Sequence, residues 1–391
     1  MVRVAEIEGR CLPAVAWLSA SGIGFDPASW SVLAAEAAAK AEGLARDLEA
    51  AAPTRPGHLM KAGAWNWGSP AQVKEAFALL GHRLDSTAGD ALAGVDHPLA
   101  GLVREYRSAR KLVSTYGPTW AGPALCGGRI YAGWQQIGAD SGRMACKAPN
   151  LQNLPRNERY RQCFVASDGR VLVKADYSQI ELRVAAKVSG DQAMLDAYLA
   201  GQDLHALTAQ RVLGVAEVTK EQRQLSKAIN FGLLYGMGVK GFRAYALAQY
   251  GLRLTEAEAG RYREAFFAAY PGLRRWHRSI ANPPIDTRTL AGRRRQGVAR
   301  YTEKLNTPVQ GTGADGLKLA LALLGERRAE CPGAFPVLAV HDEIVAECDA
   351  GQANAVKRWL TRAMTDAMAA LIEPVPVAVE TKAGRTWAGD V

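Results

Sequence analysis

Apolar residues sit at helical spacing in the first third of the chain. They change to short strand-like runs after residue 128, then return to helical spacing. Behind Asp26-Pro27, the positions Trp30, Leu33, Ala37, Leu44 and Leu48 line one face until Pro53. Asp as N-cap and Pro at the first helical position mark the start of that helix. A second helix is expected over 99–116. Its Arg104, Arg107 and Lys111 lie at i, i+3 and i+7 and point one way. Such a stripe can grip backbone phosphates, or it can be an ordinary solvated face. The segment 117–128 is dense in Gly and Pro and reads as a lobe boundary. Short strands are expected at 129–135 and 170–175, then a helical stretch over 178–281 that breaks at Asn282-Pro283-Pro284. Five arginines and no acidic residue lie between Thr287 and Thr302. This reads as a loop or helix end and a second candidate phosphate contact. The remainder mixes helix with strand-like pieces at 336–348 and 375–381.

Composition narrows the class. A chain of 391 residues suggests two or three domains. Hydrophobic residues at 48% and charged residues at 22% exclude wholesale disorder and collagen-like repeats. The uncharged stretch 11–25 is shorter than a membrane span and broken by Pro, Ser and Gly. The N-terminus, MVRVAEIEGR, has Glu where a signal peptide needs an apolar core. The expectation is a chain without membrane partners in the cytoplasm. A net charge of +10 points to a polyanion, nucleic acid first, with a basic surface kept for solubility as the alternative. None of the six cysteines forms a CxxC or zinc-ligand spacing, so they read as reduced packing residues.

Three segments carry chemistry. In Val171-Leu-Val-Lys-Ala-Asp176-Tyr177-Ser178-Gln179-Ile180-Glu181 a buried strand ends in an Asp and a helix starts at once. The Asp is a rigidly held carboxylate, or it and Ser178 are merely N-caps. In Val337-Leu-Ala-Val340-His341-Asp342-Glu343-Ile344 two apolar arms flank a charged turn, giving a hairpin with Asp342 near its tip, or an ordinary polar turn. Together the two segments offer two carboxylates on adjacent strand ends, as a pair of Mg²⁺ ions requires. In the third segment Arg223, Lys227, Phe231 and Tyr235 recur every four residues, before Gly236 and Gly238 end the helix. The stripe runs roughly 18 Å, from cationic to aromatic. That is the order of a nucleoside triphosphate: phosphates, sugar, base. A helix packing its aromatics into a core is the plainer alternative.

These segments, in this order, resemble motifs A, B and C of the family A DNA polymerases. Ser141-Gly-Arg143 with Pro149-Asn-Leu-Gln152-Asn-Leu-Pro155, Asp203-Leu-His205, Asn306-Thr-Pro-Val-Gln310-Gly, Asn66-Trp-Gly-Ser-Pro70 and His97-Pro-Leu extend the resemblance from about residue 10 to the C-terminus. The resemblance implies that Asp176, Asp342 and the Tyr177 carbonyl bind two Mg²⁺ ions, with Mn²⁺ as a substitute, and that Glu343 is an auxiliary carboxylate near the primer end. It implies that Arg223, Lys227, Phe231, Tyr235 and Gln179 surround the incoming dNTP. Lys227 would protonate pyrophosphate, and Glu181, held by Tyr235, would exclude a ribose 2′-OH. Arg143, Gln152, Asn306, Gln310 and His341 would touch the primer-template in the minor groove. Two departures stand out. The family's Arg before the Asn-x-Pro-x-Gln segment is Thr302 here, with Lys304 or Arg300 as candidate substitutes, and its usual Ser pair is Ala145-Cys146.

The expected fold class is α+β, a right-hand polymerase. Its thumb is helical (1–117), its palm an antiparallel sheet (118–187 and 302–391), and its fingers helical (188–301). The expected activity is template-directed addition of dNTPs to a primer 3′-OH. No Asp-x-Glu pair precedes the thumb-like part, so proofreading is not expected of this chain; a processivity or exonuclease partner is left open. A single-subunit RNA polymerase is the rival among enzymes, opposed by Glu181. A non-catalytic primer-template-binding protein is the rival among binders, opposed by the intact Asp176, Asp342, Arg223 and Lys227.

Overall fold

The computed structural model describes residues 4–57, 65–155 and 157–389, so Met1, Val2 and Arg3 of the N-terminal reading lie outside it. The chain is α+β. By contact it forms two units. One holds Met1–Asp26, Ala121–Val239 and Glu256–Val391; the other holds Pro27–Trp120 and Lys240–Thr255. The division at Trp120 falls inside the Gly/Pro-rich boundary expected from sequence. Two features differ from the expected lobes. Residues 1–26 pack with the sheet-bearing unit, because the helix Val4–Ser21 lies against the helix Tyr301–Glu326 and the strand Phe335–Val340. Lys240–Thr255 groups with the helical unit rather than with the rest of 188–301.

In the larger unit a four-stranded antiparallel sheet has the order Phe335–Val340, Glu343–Asp349, Arg170–Tyr177, Val379–Gly384. Every residue from Glu343 to Cys348 is buried, since helices cover the strand. Chief among these covers is the helix Ala353–Ile372, which packs on three of the strands and on the central helix Tyr301–Glu326. The last strand starts later than the apolar pattern suggested. Pro374 and Pro376 carry no N–H for a ladder, so pairing begins at Val379.

The helix Pro27–Ala51 of the smaller unit matches the apolar spacing, with Trp30, Leu33, Ala37, Leu44 and Leu48 all buried. The helix Pro98–Thr115 corrects one expectation. Arg107 turns inward and donates to the carbonyls of Trp67 (2.9 Å) and Thr87 (2.6 Å), so it is not part of a phosphate-gripping stripe. Burial lowers its pKa. Arg104 and Lys111 remain exposed.

The arginine-rich segment is also corrected. Arg288, Arg294 and Arg295 lie on a two-stranded ribbon, Ile285–Arg288 with Arg294–Val298, while Arg293 sits in its turn and Arg300 at the start of the helix Tyr301–Glu326 as expected. Acidic residues of the ribbon itself and of other segments meet it. Arg294 pairs with Asp286, and Arg295 with Asp140 and Glu303. Arg293 is half-buried against Glu8 and Asp315. Lys304 cannot stand in for the missing arginine at Thr302. It is buried, and its Nζ donates to the carbonyls of Ala281 (3.1 Å) and Pro283 (2.7 Å), fastening the proline break to the central helix. Arg300 stays on the surface, 82% exposed beside Glu303. All six cysteines are free thiols, five of them buried.

Candidate active site

The sheet register brings the acidic residues together. Glu343 lies directly opposite Asp176 across the ladder, and Glu380 flanks Asp176 on the other side. The Tyr177 amide donates to the Asp342 carbonyl at 3.2 Å, tying the strand end to the hairpin turn. Two residues of this corner hold left-handed backbone: His341 in the turn (φ 58°) and Gln179 just after the strand (φ 56°). Non-glycine residues adopt that conformation at a cost, and such strain collects at functional sites. Gln179, not Ser178, occupies the cap position of the helix Ile180–Ser189, and it makes no side-chain cap bond. The plainer reading of Ser178 as an N-cap therefore fails.

Asp176 reaches solvent at its strand end while Asp342 is half-buried. Crowding by protein, then the charges of Asp342, Glu343 and Glu380, push the Asp176 carboxyl above its usual range. Burial, with Glu181 and Glu343, does the same to Asp342. Neither carboxylate has a cationic side chain paired to it among the described residues. A divalent cation would relieve that repulsion, and the donor set suits a hard ion such as Mg²⁺. Among the described residues no three acidic, His or Cys side chains converge on one point. That agrees with an ion held by one or two carboxylates that keeps its other positions for water and phosphate oxygens. Glu343 is placed differently from the other two. It is buried, and its Oε1 accepts a bond from Trp387 Nε1 at 2.5 Å. No pattern near residue 343 points to a tryptophan 44 residues onward.

The stripe lies on the helix Lys220–Leu234. A capping box formed by Thr219 and Gln222 starts this helix, and Tyr235 closes it. Ser226, Ala228, Ile229, Asn230, Gly232 and Leu233 are buried, whereas Arg223, Lys227, Phe231 and Tyr235 are all half-buried. The helix thus packs the face formed by those buried residues and leaves the stripe at its margin, with Glu221 and Gln224 exposed. This argues against the plainer reading, in which the aromatics serve the core. Arg223 donates to Asp203 at 2.6 Å. Asp203 also caps its own helix through the His205 amide. His205 is buried, bonded to Asn230 (2.8 Å), and its ring lies 5.7 Å from Phe231. Burial pushes His205 down to about 4, which keeps the ring neutral. Lys227 has no ion-pair partner among the described residues.

Glu181 joins the pieces. Its Oε1 accepts from Arg143 at 3.1 Å and its Oε2 from the Tyr235 hydroxyl at 2.5 Å. Gln310 also bonds that hydroxyl, and burial with the Glu181 charge raises the phenol pKa well above normal. Gln152 donates to the Ala339 carbonyl (3.1 Å) in the strand before the acidic turn. Asn306 Oδ1 and Gln179 Oε1 are buried without a partner among the described residues. Each is a polar atom awaiting a donor. His341 is exposed at the turn.

Sequence reasoning missed His277 and Tyr301, which hold the far end of the stripe helix. His277 Nε2 donates to the Leu234 carbonyl at 3.0 Å, leaving Nδ1 to accept from the Tyr301 hydroxyl at 3.1 Å. The Tyr301 ring occupies the space a Cβ on Gly236 would need, at 2.4 Å, and Gly236 has φ +75°. A glycine after an aromatic helix end was the one legible sign of that close approach.

Residues 41–389 match the model of DNA polymerase family A. The chain is 42% identical to DNA polymerase I of Aquifex aeolicus over 275 residues, 68% of this chain and 47% of that one. It is 38% identical to DNA polymerase I of Deinococcus radiodurans over 318 residues, 74% of this chain and 32% of the relative. It therefore spans about a third to a half of the length of these curated relatives. Among solved structures, the POL domain of Pol1 from M. smegmatis, in complex with DNA primer-template and dNTP, superposes with a TM-score of 0.83 at 28% identity. That match covers 98% of this chain and 70% of the other. With the ordered motifs, the antiparallel sheet and these matches together, the chain belongs to DNA polymerase family A.

Proposed function

We propose that this chain extends a DNA primer along a template with dNTPs. In this reading the segments 118–187 and 302–391 act as palm, 188–301 as fingers, and the helices from Pro27 to 117 as thumb. The observation that carries the reading is the acidic corner: Asp176 and Asp342 on neighbouring strand ends, with no cationic side chain paired to either among the described residues, beside a cationic-to-aromatic helical stripe. Asp176, Asp342 and the Tyr177 carbonyl would hold two Mg²⁺ or Mn²⁺ ions. When bound, such ions supply charge that favours an ionised primer hydroxyl and a departing pyrophosphate. The primer 3′-oxygen forms a bond to the α-phosphorus of the dNTP, and the bond to the β-phosphate oxygen breaks. Arg223 binds the triphosphate, which requires its release from Asp203. Lys227 donates a proton to the leaving pyrophosphate. Phe231 and Tyr235 flank sugar and base, with Gln179 on the opposite side. Glu181, fixed at both oxygens, leaves no room for a 2′-OH. Arg143, Gln152, Asn306, Gln310 and His341 address the primer-template near its growing end. In this reading the acidic corner is the metal-binding constellation used among the described residues, with no second one for a nuclease there, so a mismatched primer is left unshortened.

Primer extension tests the proposal. Wild type should extend, and Asp176→Ala or Asp342→Ala should abolish extension while gel-shift affinity at fixed salt stays within a few-fold, because affinity comes chiefly from phosphate contacts. Extension by either variant would refute the metal assignment. A thermal readout is independent of activity. Both carboxyls titrate higher in the folded chain than unfolded, so their contribution favours folding at low pH and is lost as pH rises through the folded values. Mg²⁺ should therefore raise the Tm more at pH 8 than at pH 5. Shortening of a mismatched primer by pure protein without dNTP would contradict the absence of proofreading.

A further inference from the structure

Of the five clustered arginines, Arg293 alone is drawn into a buried charge network. Its Nε and Nη2 donate to Asp315 Oδ1 at 2.9 and 2.7 Å, and Nη2 also bonds Glu8 Oε1. Glu8 accepts as well from Lys318 Nζ at 2.6 Å and from Gln136 Nε2. Asp315 accepts from Thr289 Oγ1 at 2.6 Å. Asp315 and Lys318 are fully buried. Two carboxylates and two cations balance, so the network is neutral as a set. It joins the N-terminal helix, the turn of the arginine ribbon, the segment around Gln136 and the central helix.

The Ser141-Gly142-Arg143 loop is laid on this network. A Cβ on Gly142 would lie 2.3 Å from Arg293 Nε, and Gly142 has φ +84°. Only glycine lets the backbone lie flat on the guanidinium there. On the other side, a Cβ on Gly311 of the central helix would lie 2.8 Å from the Ser141 carbonyl oxygen. The Arg143 carbonyl is fixed in turn by the Gly138 amide at 2.9 Å. From this seat the Arg143 side chain reaches Glu181 at 3.1 Å.

We infer that Glu8 and Arg293 are positioning residues for sugar selection, acting through Gly142 and Arg143 on the Glu181 carboxylate. The inference rests on the proposed role of Glu181. Its physical basis is rigidity. Glu181 excludes a 2′-OH only while both its oxygens are tethered. The Arg143 tether is only as firm as the loop beneath it, and Arg293 is the surface on which that loop lies. Glu8 adds a second carboxylate at the Arg293 Nη2 that Asp315 also holds, so the guanidinium is gripped from two segments. Glu8→Gln would remove the negative charge that Arg293 and Lys318 share at Oε1, and would turn an NH₂ toward the Gln136 amide that donates to Oε2. Arg293→Lys keeps the charge but removes the plane on which Gly142 lies and the fork that spans two carboxylates.

The test is the ratio of rNTP to dNTP incorporation efficiency by purified full chain on one primer-template, with Tm measured alongside. Glu347→Gln is the control. Glu347 is more deeply buried than Glu8 and pairs with Arg129 (2.9 Å) and Arg170 (3.2 Å), away from the Gly142 loop. Glu8→Gln and Arg293→Lys should each raise the ratio about three- to tenfold, the lower range for coupling between contacting groups. The control should lower the Tm and leave the ratio unchanged. If Glu8→Gln does not fold, Arg293→Lys decides. An unchanged ratio in the folded variants, or an equal rise in the control, overturns the inference. A wild type that extends no primer at all overturns the proposed function instead, and a wild type that extends but never discriminates overturns the role of Glu181.

Discussion

Two helices carry basic stripes of similar appearance in the sequence, and the structure uses them in opposite ways. In Pro98–Thr115 the middle cation, Arg107, is spent on two backbone carbonyls of its own unit. In Lys220–Leu234 all four stripe positions stay at the margin, and Lys227 is unpaired among the described residues. The difference lies in what shares the face. Leu99 and Val103 are buried, and Arg107 follows Val103 by four residues, on the line that points to the core. Arg223, Lys227, Phe231 and Tyr235 keep to one line with no aliphatic residue on it. A cation four residues from a core position should be read as a candidate structural donor before it is read as a phosphate contact.

The largest effect expected from this contrast is at Lys227. Lys227→Ala should lower the extension rate about 10²- to 10⁴-fold, the usual worth of a placed general acid, and change the Tm little. Single-turnover extension over a range of dNTP concentrations checks it. A loss confined to apparent dNTP affinity would assign Lys227 to binding alone.

Arg107→Met should do the reverse. It strips a charged donor from two carbonyls and should cost about 2–3 kcal/mol of stability, while extension at a temperature where the variant is folded stays near wild type. Denaturant melts followed by extension assays separate the two. A fully stable variant with weak DNA binding would return Arg107 to the phosphate-contact stripe and erase the contrast.

Phe231 tests the rotation of the stripe helix. The Phe edge offers no hydrogen-bond donor, so a dNTP must use its own 3′-OH for the polar contact a dideoxynucleotide lacks. Phe231→Tyr should then relax discrimination against ddNTPs about tenfold to a hundredfold, the worth of one hydrogen bond to a charged group. Wild type that already accepts both alike would mean that Phe231 does not face the sugar.

What the sequence made legible was local. A strand ending in Asp176, a charged turn at Asp342 and a four-residue stripe each occupy a few consecutive turns, and short-range periodicity encodes them. What it hid were pairings between distant segments. Arg293 finds Glu8 285 residues away, Lys304 finds the carbonyls beside the proline break, and Glu343 finds Trp387. Each of these side chains, two cations and one carboxylate, read as available because its partner is supplied by tertiary packing. Backbone strain was equally invisible. Nothing in Ser178-Gln179 states that Gln179 adopts left-handed backbone and displaces Ser178 as the cap. The unit boundary at Trp120 was legible, since Gly and Pro punctuate it. The grouping of residues 1–26 was not, because a helix shows the width of its apolar face and not the surface that covers it.

The smallest expected effect falls on the two cations that the Pro98–Thr115 helix does leave in water. Arg104 and Lys111 flank Arg107 in sequence but are exposed, and Lys111 and Arg104 make no ion pair among the described residues. If they meet backbone phosphates, each neutralises one charge and releases its condensed counterion. Arg104→Ala and Lys111→Ala should then each flatten the slope of log affinity against log salt by about 1 and weaken binding uniformly across template sequences. Stability should stay within about 0.5 kcal/mol, the norm for surface changes away from buried features. Gel shifts at four salt concentrations on two unrelated templates give both the slope and its independence of sequence. An unchanged slope in both variants would make the exposed side of this helix a solvated face. The contrast between the two helices would then be sharper: one stripe divided between carbonyls and water, the other kept half-buried along its whole length.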